Sequence, residues 1–517
     1  MVESTEACRQ QDRRRFASTV RATLDGRAGT IILVIALLMM IPPHGYLSDN
    51  EENYFALAER FVDRGAWASE TAVFDASRHR MLSDSTLGIL VSSIGYTPTQ
   101  IVTRLLAVAG YTLALSALFR VFALSALDAA LAVMTMALIG QDLMGGEWLF
   151  SGYEAKVAAY VLVLTALRFV LVPDRLTAAA ALFAIATWFH FLVGGFWFVA
   201  AMALRLLDAP RDLRRVGAAT ALFVLLVVPL MGVIAWSRIA DVAAARATDM
   251  PSPDVIYSII REPHHQSPFL SWAYFRDSWL PGYIESAALL LVCIVVARRH
   301  PARRLRVLAT WLAGLLAYLF LVLGPKYLDR DSGVLGKFYL FRPSSLILLL
   351  WLMMALAVTM ALSARRAWMA RAALLAIIGP AFLYIQSGRL ANDLAADVAL
   401  DAEKRLLVAA VSRTTNPNDV VLIDPEVDMQ LLDFERRTRR PTLVNWKFAP
   451  TNDAELITWY RRMELRQALF DNGCASDAFA AGISYLLATP THASRLAATC
   501  GPEVFRVGQW VMLRRLP

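Results

Sequence analysis

Long apolar stretches alternate with short polar ones through roughly the first 390 residues, and the alternation then stops. A helix crosses about 30 Å of hydrocarbon with roughly 17 to 25 apolar residues, or a few fewer where it is thin or broken. Eleven stretches answer that description: 29–47, 100–119, 124–141, 155–172, 177–191, 193–207, 217–236, 283–297, 307–323, 340–361 and 368–387. The fifth and sixth form one apolar block interrupted at "HFLVGG". After the first stretch, "SDNEENYFALAERF" changes the pattern to an amphipathic helix. It opens on a capping box, Ser48 with Glu51 or Asp49 with Glu52, and sets Tyr54, Leu57, Ala58, Phe61 and Val62 on one face. Such a helix suits a place flat in the headgroup layer, and two are expected, over 51–64 and 84–95. Beyond residue 390 the pattern is that of a soluble α/β domain. "DVVLID" (419–424), "TLVNWKF" (442–448), "ISYLLAT" (483–489) and "EVFRVGQWVMLRR" (503–515) read as strands, with helical patterns between them.

Composition agrees: 57% of the 517 residues are hydrophobic and 18% charged, with mean hydropathy +0.49, too apolar for a soluble protein of this size. The arginines give the orientation. Segments 1–28, 119–128, 168–176, 204–216, 298–306 and 362–371 hold 21 Arg against 8 acids, the excess expected of cytoplasmic loops. The N-terminus is then inside, and because "RLLDAPRDLRR" must also return inside, residues 177–207 cross twice. An odd number of crossings leaves the C-terminal domain outside. The first crossing is too long, and lacks the small-residue cleavage site, to be a removed signal peptide. The fold class that follows is a multi-pass α-helical membrane protein of about eleven transmembrane helices. Its parts are a cytoplasmic tail (1–28), a transmembrane domain (29–389, with a first outer loop at 48–99) and an exported α/β domain (390–517). A bacterial cytoplasmic membrane, with that domain in the periplasm, fits this arrangement. The pI of about 9.4 is a topology signal, since no basic-aromatic platform for nucleic acid occurs. Cys8 lies in the tail and Cys293 in a crossing, so Cys474 and Cys500 are the pair that an oxidising compartment would allow to bridge; spacing alone leaves the bridge open.

The outer loops collect the chemistry. The first carries Asp49, Glu51, Glu52 and Asp75; the second, "QDLMGGEWLFSGYEAK", brings Asp142, Glu147, Glu154 and Lys156. His190 sits at the third. The fourth, "REPHHQSPF", has Arg261, His264 and His265, and the fifth brings Lys326, Arg330, Lys337 and Arg342. Carboxylates for base work beside cations for a phosphate suggest a site at the membrane–water boundary. Each residue also has a plainer role. The first-loop acids cap a helix, the adjacent histidines form a turn around Pro263 and Pro268, His190 packs between helices, and the fifth-loop cations anchor headgroups. No Walker loop, Rossmann fingerprint, nucleophile elbow or zinc cysteine pattern occurs.

These features together resemble the GT-C superfamily of integral-membrane glycosyltransferases, along the whole length in architecture and patchily in motif. An acidic motif ends the first helix, a long first outer loop follows with two interface helices, acids recur in the next loop, and an α/β domain closes the chain. "GYEAKVAAYVLVLTAL", "FHFLVGG", "REPHHQSP" and "RRPTLVNWKF...WYRR" are similar to stretches of uncharacterised bacterial members. The resemblance implies a donor sugar on polyprenyl phosphate, an envelope glycan, lipid or protein as acceptor, and inversion at the anomeric carbon. It makes a first-loop carboxylate the general base, Asp49 first and Glu51, Glu52 and Asp75 behind it. Lys326, Arg330, Lys337, Arg342, Arg261, His264 and His265 would hold the donor phosphate, with Asp142, Glu154, Lys156 and His190 in support. Some relatives use a divalent metal ion, for which Asp49, Asp142 and Glu154 would be the ligands. A transporter or flippase of lipid-linked precursors, or a non-catalytic scaffold of the same architecture, is the alternative. Against transport stand the lack of an evident internal repeat and the placing of charges at the crossing ends.

Overall fold

Among the described residues, every apolar stretch read from the sequence meets a helix. The computed structural model describes residues 24–41, 47–68, 71–75, 78–172, 174–245, 250–361, 364–474 and 482–515. The tail with Cys8 and the exit stretch 42–46 lie outside the described residues. After α1 (Gly29–Met39) come two helices at one end of the bundle, α2 (Asp49–Val62) and α3 (Met81–Ile94). The bundle continues with α4 (Tyr96–Arg120), α5 (Ala126–Ile139), α6 (Ala155–Val170), α7 (Leu176–Phe189), α8 (Phe191–Asp208) and α9 (Leu213–Ala245). It closes with α10 (Leu280–Arg299), α11 (Arg303–Leu321), α12 (Ser344–Met360) and α13 (Ala364–Thr414). Among the described residues, six helical stretches are long and apolar enough to cross a membrane: 96–120, 191–208, 213–239, 272–299, 303–328 and 366–414. Four more apolar helices have 10–17 residues. The protein is a multi-pass membrane protein, mostly helical, with a small C-terminal sheet domain.

Two local devices shape the bundle. His190, in extended conformation (φ −152°, ψ 103°), breaks the apolar block between α7 and α8. Gly194 then lets the α8 backbone close on Thr187, whose amide nitrogen a Cβ at that position would approach to 2.2 Å. At the far end, the Ser125–Asp128 capping box opens α5, and the same Asp128 carboxylate takes Nε and Nη2 of Arg371 at 2.8 and 2.7 Å. That buried pair pins α13 to α5.

The helix α13 does not stop at the membrane domain. It runs on through residue 390 and ends under the sheet, where Leu407 and Val411 pack with Val421, Ile423, Leu487 and Met512. The sheet has the order β1 (Val420–Ile423), β2 (Ile483–Ala488), β4 (Trp510–Arg514), β3 (Glu503–Val507), with β1 and β2 parallel and the other pairs antiparallel. Helices α14 (Asp453–Asn472) and α15 (Pro490–Cys500) cover its other face through Leu456, Trp459, Leu469 and Leu496. Both faces being covered, the central strands are continuously apolar. Cys474 and Cys500 are bridged, their Cα atoms 4.9 Å apart. The strand expected over 442–448 is corrected by the structure. One bridge, Val421 to Thr442, is all that pairs, because a buried carboxylate described below takes the next polar groups instead.

The first end helix is covered on two sides. On one side Phe55 and Ala58 of α2 pack with Leu87 and Val91 of α3 and with Tyr153. On the other, Ala56 and Leu57 pack with Trp67, Val73 and Phe448 of the sheet domain. Helix α2 is therefore a layer between bundle and sheet domain, which is why Glu51 and Glu52 are buried.

Candidate active site

The first turn of α2 assigns its residues by packing. Ser48 caps it, accepting from the Glu51 amide at 3.2 Å, while its own amide donates to Glu51 Oε2 at 3.0 Å. Fully buried Glu51 also accepts from Arg104 Nε and Nη2 at 2.8 and 2.5 Å and from the Tyr153 amide at 2.9 Å. Gly152 leaves the room for this, since a Cβ there would sit 2.5 Å from the Glu51 carboxyl carbon. Glu52 is held bidentately by Arg436 of the sheet domain at 2.7 and 2.8 Å. Asp75 accepts from Arg60 and Arg64 at 3.0 and 2.7 Å. Three of the four candidate bases are thus occupied in holding structure. Asp49 is exposed and has no hydrogen bond or ion pair among the described residues. It lines a cavity of about 290 Å³ with Tyr96, Asp397, Lys404, Asp433 and Arg437.

Beside Asp49 runs a chain of buried charges. Asn50 Nδ2 and Trp148 Nε1 each donate to Glu154 Oε1 at 2.8 Å, and Lys156 Nζ lies 3.4 Å from Glu154 Oε2. Lys156 sits 4.2 Å above the Trp148 ring and donates to Glu147 at 2.8 Å. Arg342 reaches the other Glu147 oxygen at 2.8 Å and His190 Nε2 at 2.9 Å, and covers the Tyr339 ring at 3.8 Å. Burial opposes charge on Glu147, but Arg342 and then Lys156 hold its carboxyl far below the ordinary range. Gly145 and Gly146, at φ +83° and +62°, bend the second loop so that Asp142 accepts from the Glu147 amide at 3.0 Å. Burial lifts the Asp142 carboxyl to about 6.

The fourth loop closes the third side. His265 Nδ1 contacts the Gly145 carbonyl, and the His264 ring lies tilted at 44° to that of His265, the centroids 4.0 Å apart. Tyr339 donates to Glu262 at 2.7 Å. Arg261 is 92% buried, lies over the Trp446 ring at 5.2 Å, and its Nε has no hydrogen bond. Arg261, His264, His265 and Arg342 are therefore gathered with Asp142, Glu154, Lys156 and His190. The other fifth-loop cations depart from expectation because acids claim them, close in sequence for Lys326 and Arg330 and from the fourth loop and the sheet domain for Lys337. Lys326 pairs with Asp329 at 3.2 Å, Arg330 with Asp331 at 3.4 Å, and Lys337 with Asp254 and Asp453 at 2.8 and 2.6 Å.

Several site residues were given no role from the sequence. His79 lies 6.1 Å from the His190 ring, and burial, then Arg80 and Arg342, push its imidazole down to about 3. Arg80 pairs with buried Asp84 at 3.0 Å and covers Tyr54. "SRHR" was visible as a basic knot in the first loop, but nothing local tied it to residue 342. Trp446 and Lys447 come from the sheet domain, and in the sequence they stood out only as part of a strand-like stretch and of the similarity carried by "RRPTLVNWKF".

The metal expectation does not fit the geometry. Glu154 is spent on Asn50, Trp148 and Lys156, Asp142 on an amide, and with Asp49 they do not converge. Among the described residues, one group of three such side chains brings ligand atoms within 4.8 Å of each other: Asp424, Glu426 and His492 in the sheet domain. There Asp424 Oδ2 already accepts from the Thr489 amide and hydroxyl and contacts His492 Nδ1, fastening the start of α15.

Residues 404–465 match a family described as a domain of unknown function, DUF6798. No curated protein matches the chain. Among solved structures it is similar to ArnT from Cupriavidus metallidurans bound to undecaprenyl phosphate, at 14% identity and a TM-score of 0.50 over 96% of this chain and 98% of that one. A second similarity is to the Archaeoglobus fulgidus oligosaccharyltransferase in complex with Zn and sulfate, at 13% identity and TM-score 0.43 over 89% of this chain and 68% of that one. A third is to the oligosaccharyltransferase AglB of the same organism with an inhibitory peptide and a dolichol-phosphate, at 12% and 0.41 over 89% and 69%. At such identities likeness speaks to architecture alone, and the match over nearly the full length of both chains gives it: this protein has the fold of the GT-C membrane glycosyltransferases.

Proposed function

We propose that the chain transfers a sugar from a polyprenyl-phosphate donor to a hydroxyl of an envelope glycan, lipid or protein, with inversion. One observation carries the reading. Of the described carboxylates in residues 48–99, Asp49 is the one left without a hydrogen bond or ion pair, on a turn whose neighbours Ser48, Asn50, Glu51 and Glu52 are all bonded. A single inverting displacement needs one base within reach of the acceptor proton. Asp49 takes that proton while the acceptor oxygen attacks the anomeric carbon; the carbon–oxygen bond to the phosphate breaks, and polyprenyl phosphate leaves with the electron pair. Its growing charge meets Arg261, whose Nε is unspent, and the His264–His265 pair. Fixed cations aimed where charge develops are the strongest electrostatic aid a site supplies. Lys156 and Arg342 are braced by Glu147 and set the positive wall behind them. The cavity beside Asp49 gives the acceptor room. The arginine sorting of the loops supports a bacterial cytoplasmic membrane, with the sheet domain on the periplasmic side.

The test is turnover by the full chain in lipid nanodiscs. With a panel of polyprenyl-phosphate sugars and envelope extracts as acceptor, wild type should release polyprenyl phosphate. Asp49→Asn should lower the rate about 10²-fold or more, the usual worth of a general base, with melting temperature unchanged. Failure of wild type to bind or turn over any such donor, or full activity of Asp49→Asn, overturns the reading.

A further inference from the structure

We propose that the C-terminal sheet domain supplies a phosphate ligand of its own, Lys447, to the donor pocket, so that lipid-phosphate binding requires the domain. The inference rests on the glycosyltransferase reading for the identity of the lipid, and on the following geometry for the residue.

The segment 445–447 is held by a buried polar lattice. Asp428 accepts from Asn445 Nδ2 at 2.5 Å, from the Trp446 amide at 2.8 Å and from Arg466 Nη1 at 2.7 Å. Trp459 Nε1 donates to the Asn445 carbonyl at 2.9 Å, and the Lys447 amide donates to Asn445 Oδ1 at 2.8 Å. Asp428, Asn445, Trp459 and Arg466 are each at most 2% exposed. Burying an ion pair costs several kcal/mol of desolvation and is weak evidence for added stability. What this one accomplishes is geometric: it holds Trp446 where Arg261 of the fourth loop lies over its ring at 5.2 Å, with Lys447 next in the chain.

Lys447 arrives there unmatched. The other four lysines are described, and each has a carboxylate: Lys156 with Glu147, Lys326 with Asp329, Lys337 with Asp254 and Asp453, Lys404 with Asp433. Lys447 is half-buried, and its ammonium has no hydrogen bond or ion pair among the described residues. The groups within electrostatic reach include Arg261, His264, Asp49, Glu154 and Glu262, and burial followed by Arg261 weakens its hold on its proton. Of these acids, Glu154 and Glu262 are engaged by Lys156 and by Tyr339. Arg261 reaches Glu262 through Nη1 at 3.8 Å and keeps its Nε unspent, so Arg261 and Lys447 are two cations within electrostatic reach of each other whose repulsion an anion between them relieves. A phosphate suits both, Arg by its forked donors and Lys as a point charge. The anion could come from a lipid or from solution; the place, where α2 is layered between an apolar bundle and the sheet domain, favours the lipid.

Binding can be measured without turnover. The full chain in nanodiscs is titrated with undecaprenyl phosphate, with undecaprenol, and with inorganic phosphate. Lys447→Met should weaken undecaprenyl phosphate binding about tenfold, the worth of one charge-assisted contact, and Lys447→Arg should recover most of it. Both variants should bind undecaprenol as wild type does and melt at the same temperature. Equal undecaprenyl phosphate affinity in wild type and Lys447→Met overturns the inference while leaving the glycosyltransferase reading intact. A wild type that does not bind undecaprenyl phosphate removes both. Inorganic phosphate bound as tightly as undecaprenyl phosphate overturns the assignment to a lipid.

Discussion

Glu51 and Asp49 stand two residues apart on one turn, and removal of each should read out differently. Glu51 accepts from two guanidinium nitrogens of Arg104, Nε and Nη2, and from two backbone amides inside the protein. Glu51→Ala leaves Arg104 buried without that carboxylate, so it should cost about 3 to 5 kcal/mol and lower the melting temperature. Asp49→Ala, at an exposed carboxylate, should leave melting unchanged and lose turnover. His79 gives a pH signature. Its folded pKa of about 3 lies below the ordinary value of 6.5. Below pH 6.5 the unfolded chain takes a proton that the folded chain refuses, so this contribution, complete above pH 6.5, is lost as pH falls toward 3. Melting curves from pH 4 to 7.5 should show a shallower acid decline in His79→Gln than in wild type. Equal slopes would mean that His79 titrates normally.

At the scale of elements, close approaches decide where loops can carry charge. Gly152 is the clearest case, because its missing side chain is the space in which the Glu51 carboxylate sits. Gly152→Ala should therefore reproduce the Glu51→Ala loss of stability, and the double variant should cost less than the sum of the two, which a melting cycle measures. The cap at Ser48, the break at His190 and both end helices were legible in the sequence, since each depends on residues within one or two turns. The segment 442–448 was not. Its alternation of apolar and polar positions satisfies the period of a strand, but Asp428 captures the Asn445 side chain and the Trp446 amide, and the chain turns instead.

For the whole molecule, the question is how the sheet domain and the bundle are joined. Arg436 holds Glu52 bidentately, Lys337 and Arg238 meet Asp453, and Arg462 reaches the Thr71 carbonyl. Phe448 adds apolar contact with α2. Because α13 connects the two parts covalently as one helix, these contacts set orientation more than attachment. Arg436→Ala leaves Glu52 buried without its partner, and amide hydrogen exchange in residues 49–62 should rise while exchange in β1 and β2 stays as in wild type. Unchanged exchange in α2 would show that the sheet domain does not hold it. The residues 404–465 that match a domain of unknown function include Lys404, Arg436, Trp446 and Lys447, so the contacts named here fall largely within that match.

The membrane character, the helix positions and the cap at Ser48 were determined by the sequence alone, because apolar runs and capping boxes act over a few to about twenty residues. Which carboxylate stays available was decided only by the tertiary structure. The partners that claim Glu51, Glu52 and Glu147 are Arg104, Arg436 and Arg342, at separations of 53, 384 and 195 residues, and no local pattern encodes which helices will bring them together. Lys447 shows the same limit from the other side. As a letter it reads as one position in a strand, and it acquires its electrostatic setting only when a buried aspartate turns its segment toward Arg261.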